Sequence, residues 1–121
     1  MTISLANITI DCDDALVVGR FWSAALDRPL AEEPEPSTFF TSIVRTDHGT
    51  GGEPQWLFAK VPEPKSVKNR VHVDLVADDR EKEIARLVEL GATRGADHDE
   101  YGHSWTVMAD PEGNEFCIAQ A

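Results

Sequence analysis

Residues 72–79 read HVDLVADD and residues 7–14 read NITIDCDD. Both stretches place apolar residues second and fourth and close on Asp-Asp, and they start 65 residues apart (72 less 7). A repeat at such a period marks a duplicated structural unit. In the first copy Ile8 and Ile10 alternate with Asn7, Thr9 and Asp11; in the second, Val71, Val73 and Leu75 alternate with His72 and Asp74. Period-two alternation is the signature of a half-buried strand, so each copy opens a unit with one polar face and one packed face.

A helix follows each copy. Asp13 or Asp14 supplies a cap for a helix whose apolar positions Val17, Val18, Phe21, Trp22, Ala25 and Leu26 recur at three- and four-residue steps, ending before Pro29. After the second Asp-Asp, Arg80 to Leu90 carries Ile84, Leu87 and Val88 on one stripe, and Gly91 is a natural C-terminal stop.

Beyond the first helix, the proline- and charge-bearing segment 31–37 and the glycine-rich segment 46–54 read as loops around strands at 39–45 and 55–61. Segment 61–69, VPEPKSVKN, has prolines and charges without periodicity and reads as a linker. The second half continues with a short strand at 92–94, a polar loop at 97–100, a strand at 103–109, a turn at 110–114 and a strand at 115–119. The expected order is β-α-β-β-β, twice, an α+β fold. Trp22, Phe21, Trp56 and Phe58 fall at core phases of their elements.

Composition narrows the function classes. The chain has 121 residues, 41% of them hydrophobic, enough for a self-sufficient core. Eleven Lys and Arg against 22 Asp and Glu give a formal charge of −11, which repels nucleic acid and anionic membranes. There is no basic-then-apolar leader and no run of 18 apolar residues, so a cytoplasmic protein is expected. Cys12 and Cys117 are too few and too distant for a disulfide framework.

The turn DPEGNEFCI at 110–118, the segment VPEPKSVKNRVHVDL at 61–75 and the FW and AL pairs of the first helix together resemble the glyoxalase-like branch of the vicinal oxygen chelate superfamily, which includes glyoxalase I, bleomycin-resistance proteins and extradiol dioxygenases. The resemblance implies one domain over 1–121, built of βαβββ modules 1–61 and 70–121 joined by linker 62–69. It further implies a curled mixed-sheet cup with the helices outside, a small-molecule ligand within it, and a homodimer. Metal-dependent members hold a divalent ion such as zinc, nickel, manganese or iron on inward residues of the first and fourth strands of each module. Carried over, those positions fall on Asn7, Ala59, His72 and Glu115, with Leu57 or Gln55 replacing Ala59 if the register shifts by two or four.

Only His72 and Glu115 of that set have strong donor chemistry; Asn7 and Gln55 are weaker oxygen donors. The pair reads either as a half-retained metal site, as an acid–base couple acting on an enolisable substrate, or as a polar pair in a cup that binds without chemistry. Strand parity adds Thr9, Asp74 and Cys117 to the candidate pocket beside Asn7, and the resemblance adds Ala59. Trp105 lies on a strand apolar on both faces, so it either lines the cup or packs under the second helix, and the cup is the favoured placement. His98, Tyr101 and His103 read as a solvated acidic loop, and His48 likewise. The expectation is a small-molecule-binding protein with an incomplete metal site; the alternatives are a metal-dependent lyase or isomerase of glyoxalase type and a drug-sequestering binder of bleomycin-resistance type.

Overall fold

The computed structural model describes Ile3, residues 5–44 and residues 53–121. His48 and most of the glycine-rich segment lie outside the described residues. The chain divides into two compact units, Met1–Pro64 and Lys65–Ala121.

The first unit runs β1 (Asn7–Cys12), α1 (Ala15–Leu26), β2 (Phe40–Ile43) and β3 (Gln55–Lys60). Its sheet has the order β1-β3-β2, with β1 parallel and β2 antiparallel to β3. A parallel β1–β3 pair needs a crossover, which α1 supplies. The second aspartate of the repeat starts that helix: Asp14 Oδ1 accepts the backbone N–H groups of Leu16 and Val17 at 3.0 and 3.2 Å. Asp27 closes it in the left-handed conformation.

Three strands form here among the described residues, where four were expected. The fourth is reduced to a single bridge, Leu30 opposite Ile43, and segment 31–37, with its two prolines and three glutamates, is the loop that the sequence predicts. The core is aromatic. Trp22 stacks at a tilt on Trp56 with ring centroids 4.9 Å apart, and Phe21 meets Trp22 edge-on at 5.3 Å. Each such side chain, once buried, contributes roughly 1.5–3 kcal/mol. Buried Arg28 bridges β2's end and the approach to β3: it pairs with Glu53 at 2.8 Å and donates to the carbonyls of Val44 and Pro54.

The second unit runs β4 (Asp74–Ala77), α2 (Arg80–Leu90), β5 (Thr93–Glu100), β6 (His103–Ala109) and β7 (Glu115–Gln120), in the sheet order β4-β7-β6-β5. Again the second aspartate caps the helix, Asp79 Oδ1 accepting from Lys82 N at 3.2 Å. Ile84 and Leu87 of α2 are buried, as are Met108, Phe116 and Ile118 of the strands.

The expected loop at 97–100 is instead strand, and with it the short strand at 92–94 lengthens to Glu100. Its polar residues pair along β6, His98 opposite Trp105 and Glu100 opposite His103, with an irregularity between Arg94 and Asp97. A two-residue turn closes this hairpin. Tyr101 and Gly102 both take positive φ, 54° and 78°, the geometry whose twist matches antiparallel strands. Cross-strand pairing thus overrides local polarity.

Candidate functional site

The register of the second sheet assembles one polar-and-aromatic face. Parallel pairing sets Asp74 opposite Cys117. Antiparallel pairing sets Val107 opposite Cys117, Trp105 opposite Ala119, and His98 opposite Trp105. Residues at alternate positions share a face, so His72, Glu115 and Glu100 join them. The opposite face carries buried Thr106, Met108, Phe116 and Ile118. On the open face lies a groove of about 1000 Å³, lined by His72, Asp74, His98, Trp105 and Cys117 among others. Trp105 therefore lies in the groove and not under α2.

His98 is half-buried on a strand, where the sequence reading had it in a solvated loop. Its ring stacks on the Trp105 indole, centroids 5.3 Å apart and planes within 17°. Tyr101 and His103 also line the groove, at the hairpin end, although Tyr101 is 94% exposed.

Glu115 is held from the linker side. Lys65 Nζ donates to Oε1 at 3.0 Å and the Asn69 backbone N–H to Oε2 at 3.0 Å. With its amide nitrogen toward the carboxylate, the Asn69 side chain also donates to Oε2 at 2.9 Å and accepts from Glu115 N. Burial pushes the Glu115 carboxyl up, but the Asn69 N–H and the Lys65 ammonium outweigh it and hold the group below its ordinary value. A depressed carboxyl contributes stability fully present above its unfolded-state value of about 4.5 and lost as pH falls through the lower folded value. Acid titration followed by hydrogen exchange at Asn69 should accordingly show its N–H losing protection below that range, and Glu115→Gln should flatten the dependence. Persistence of wild-type protection at the acid end would contradict the assignment.

His72, Asp74 and Cys117 come together instead. His72 Nδ1 lies 3.2 Å from Asp74 Oδ1 and 3.9 Å from Cys117 Sγ, and one donor atom of each residue falls within 4.8 Å of the others. Cys117 is 8% exposed. Burial first, then the Asp74 carboxylate, raises its thiol above the ordinary value. Asp74 and Cys117 face the same imidazole nitrogen, so this is not a nucleophile–base–orienter relay, which needs a separate ring nitrogen for each partner.

In the first unit, β1 and β3 place Asn7 opposite Gln55, Thr9 opposite Leu57 and Asp11 opposite Ala59. Asn7 Nδ2 donates to Thr9 Oγ1 at 3.3 Å. Sequence reasoning missed Lys65, Asn69 and His98. The linker lysine showed only as charge, and His98 sat in a run too polar to read as strand.

A family model for the glyoxalase-like domain matches residues 7–119. The chain belongs to the glyoxalase-like domain family. Solved structures agree on the fold. A glyoxalase/bleomycin resistance protein/dioxygenase family enzyme from Burkholderia phytofirmans PsJN is 21% identical at a TM-score of 0.74, covering 98% of both chains. The fosfomycin resistance protein FosX from Listeria monocytogenes is 11% identical at 0.71, covering 100% of this chain and 95% of its own. Lactoylglutathione lyase from Agrobacterium tumefaciens is 13% identical at 0.63, covering 98% and 93%. No curated protein sequence matches the chain significantly. Members of the superfamily thus differ in function on one fold, and no helix among the described residues is long and apolar enough to cross a membrane.

Superfamily members often use divalent metals, and the donors of the glyoxalase-like domain can be tested against that. The His72–Glu115 pair fits poorly, because both Glu115 oxygens are engaged by Lys65 and Asn69, and an ion there must break that ion pair. The His72, Asp74 and Cys117 cluster carries no such obstruction.

Proposed function

We propose that this glyoxalase-like domain binds a small, flat, cationic organic molecule in the groove of its second unit, without metal chemistry at His72 and Glu115. The stacked Trp105–His98 pair carries this reading. An indole face attracts a planar cation through dispersion and its quadrupole, contributing roughly 0.5–2 kcal/mol. Asp74 and Glu100 on the same face supply negative charge, in keeping with the chain's −11. A groove of about 1000 Å³ suits a drug-sized ligand. In this proposal the domain spans 1–121 as two modules, 1–61 and 70–121, joined by 62–69, and works as a cytoplasmic homodimer.

Parallel thermal-shift series test it, one with divalent metals and one with cationic aromatic compounds. A ligand at a hundred times its Kd stabilises by about 2.7 kcal/mol, a rise of about 10 °C for a domain this size. The aromatic cation is expected to respond whether or not a metal does, and Trp105→Ala should weaken its binding by about tenfold. A metal-only response abolished by Glu115→Gln would instead support a metal-dependent lyase or isomerase of glyoxalase type.

A further inference from the structure

The groove wall contains a donor set that shares only His72 with the one that the resemblance supplies. We propose that His72 Nδ1, an Asp74 carboxylate oxygen and Cys117 Sγ together bind a divalent transition metal of the zinc class, with its fourth position open to the groove. This goes beyond the organic-ligand reading and stands or falls separately from it.

The distances support a common centre. A tetrahedral ion with metal–nitrogen and metal–oxygen bonds near 2.0–2.2 Å and a metal–sulfur bond near 2.3 Å holds its donors roughly 3.3–3.8 Å apart. The two measured separations, 3.2 Å from imidazole to carboxylate and 3.9 Å from imidazole to sulfur, bracket that span. Small side-chain rotations bring all three to coordination, because His72 and Asp74 lie at the exposed edge of the sheet, 40% and 72% accessible. Cys117 is fixed by the register: its backbone N–H bonds to Val73 O at 3.0 Å, and it sits opposite Asp74.

Convergence on one nitrogen is what a chelate requires and what a catalytic relay forbids. The donor chemistry also selects the ion. A thiolate with an imidazole excludes magnesium and calcium, which take oxygen ligands, and matches zinc or cobalt. On binding, the thiol proton leaves to solvent and the sulfur lone pair enters the metal–sulfur bond, with no change of oxidation state. Glu115, bound to Lys65 and Asn69, takes no part.

Cobalt(II) titration of the full chain, purified without a histidine tag, provides the test. Thiolate coordination produces a near-ultraviolet sulfur-to-cobalt charge-transfer band, expected to saturate at one equivalent and to disappear when zinc displaces the cobalt. Cys117→Ser should abolish the band, whereas Glu115→Gln and Cys12→Ser should retain it. Asp74→Asn, at an exposed position, should lower cobalt affinity about tenfold or more with the melting temperature unchanged, and it decides the matter if Cys117→Ser does not fold. Absence of the band in the wild-type protein at saturating cobalt would overturn the proposal. So would its loss in Glu115→Gln, or wild-type affinity in Asp74→Asn.

Discussion

Asp110→Ala is expected to lower the unfolding free energy by about 3 kcal/mol, with a fall in Tm of roughly 10 °C. Asp110 is 2% exposed and organises the DPEGN turn from within. Its Oδ1 accepts the backbone N–H of Glu112 at 2.9 Å and that of Asn114 at 3.0 Å, and the Asn114 side-chain amide donates to both oxygens at 3.1 and 2.9 Å. Main-chain bonds between Asp110 N and Asn114 O and between Gly113 N and Asp110 O close the same turn. A carboxylate accepting several N–H groups makes charge-assisted bonds of roughly 1.5–3 kcal/mol each, and alanine leaves those donors half-buried without it. Water recovers part of the loss, which keeps the total near that of one or two bonds. Asp110→Asn, which keeps an acceptor oxygen, should lose about half as much. Urea unfolding of the three proteins measures the difference; a loss under about 1 kcal/mol for alanine would show that water substitutes for the carboxylate.

The turn matters to the site because Glu115 follows it directly. A slip there moves Glu115 and Cys117 to the other face together, since strand side chains alternate. The sequence reading recognised DPEGN as a chain reversal from Pro111 and Gly113, and Gly113 does take positive φ at 86°. It did not recognise Asp110 as the residue that holds the turn, because a buried carboxylate serving neighbouring N–H groups leaves no periodic mark.

Elements whose pattern is local were legible. The Asp-Asp endings of the repeat became helix caps, and the alternation in NITIDCDD became β1, with Ile8 and Ile10 half-buried between exposed Thr9 and Asp11. β5 was illegible because its residues obey their partner strand. Asp97 pairs with Thr106, whose hydroxyl donates to it at 2.7 Å, while Arg94 pairs with Glu81 of α2 at 2.8 Å, so polar groups that look solvated are satisfied within the fold. The fourth strand of the first unit was expected from the repeated order alone: segment 31–37, ahead of β2, already read as a loop from its prolines and glutamates, and it is one.

At the site, His72, Asp74 and Cys117, which parity had grouped, lie close together. What parity cannot give is distance along neighbouring strands. His72 was matched with Glu115 by family position, yet contact at Nδ1 comes from Asp74, two residues along its own chain, and from Cys117, two residues beyond Glu115. Glu115 is drawn to Lys65 and Asn69 because the linker returns beside β7, a tertiary arrangement that no local pattern encodes.

Gly19→Ala is expected to destabilise the chain by about 2 kcal/mol, although alanine is the better helix former by about 1 kcal/mol. The reason is the approach of α1 to β2. A Cβ at position 19 would lie 2.1 Å from Thr41 Oγ1 and 3.0 Å from Thr41 Cβ. Thr41 is fully buried, and its hydroxyl donates to Ala15 O at 2.8 Å, so rotating it away breaks a buried hydrogen bond, and leaving it in place forces the helix off the sheet. Overpacking costs roughly 1–3 kcal/mol and an unmade buried hydrogen bond roughly 1–3, which together exceed the propensity gain. The pair should be strongly non-additive. Thr41→Ala removes the atom that alanine 19 would strike, so Gly19→Ala in that background should recover most of its loss, or turn stabilising as the helix preference shows through. Thermal unfolding of the two single variants and the double variant gives this coupling; additive losses would mean that the clash is absorbed elsewhere, and that Gly19 is there for a reason other than the closeness of α1 to β2.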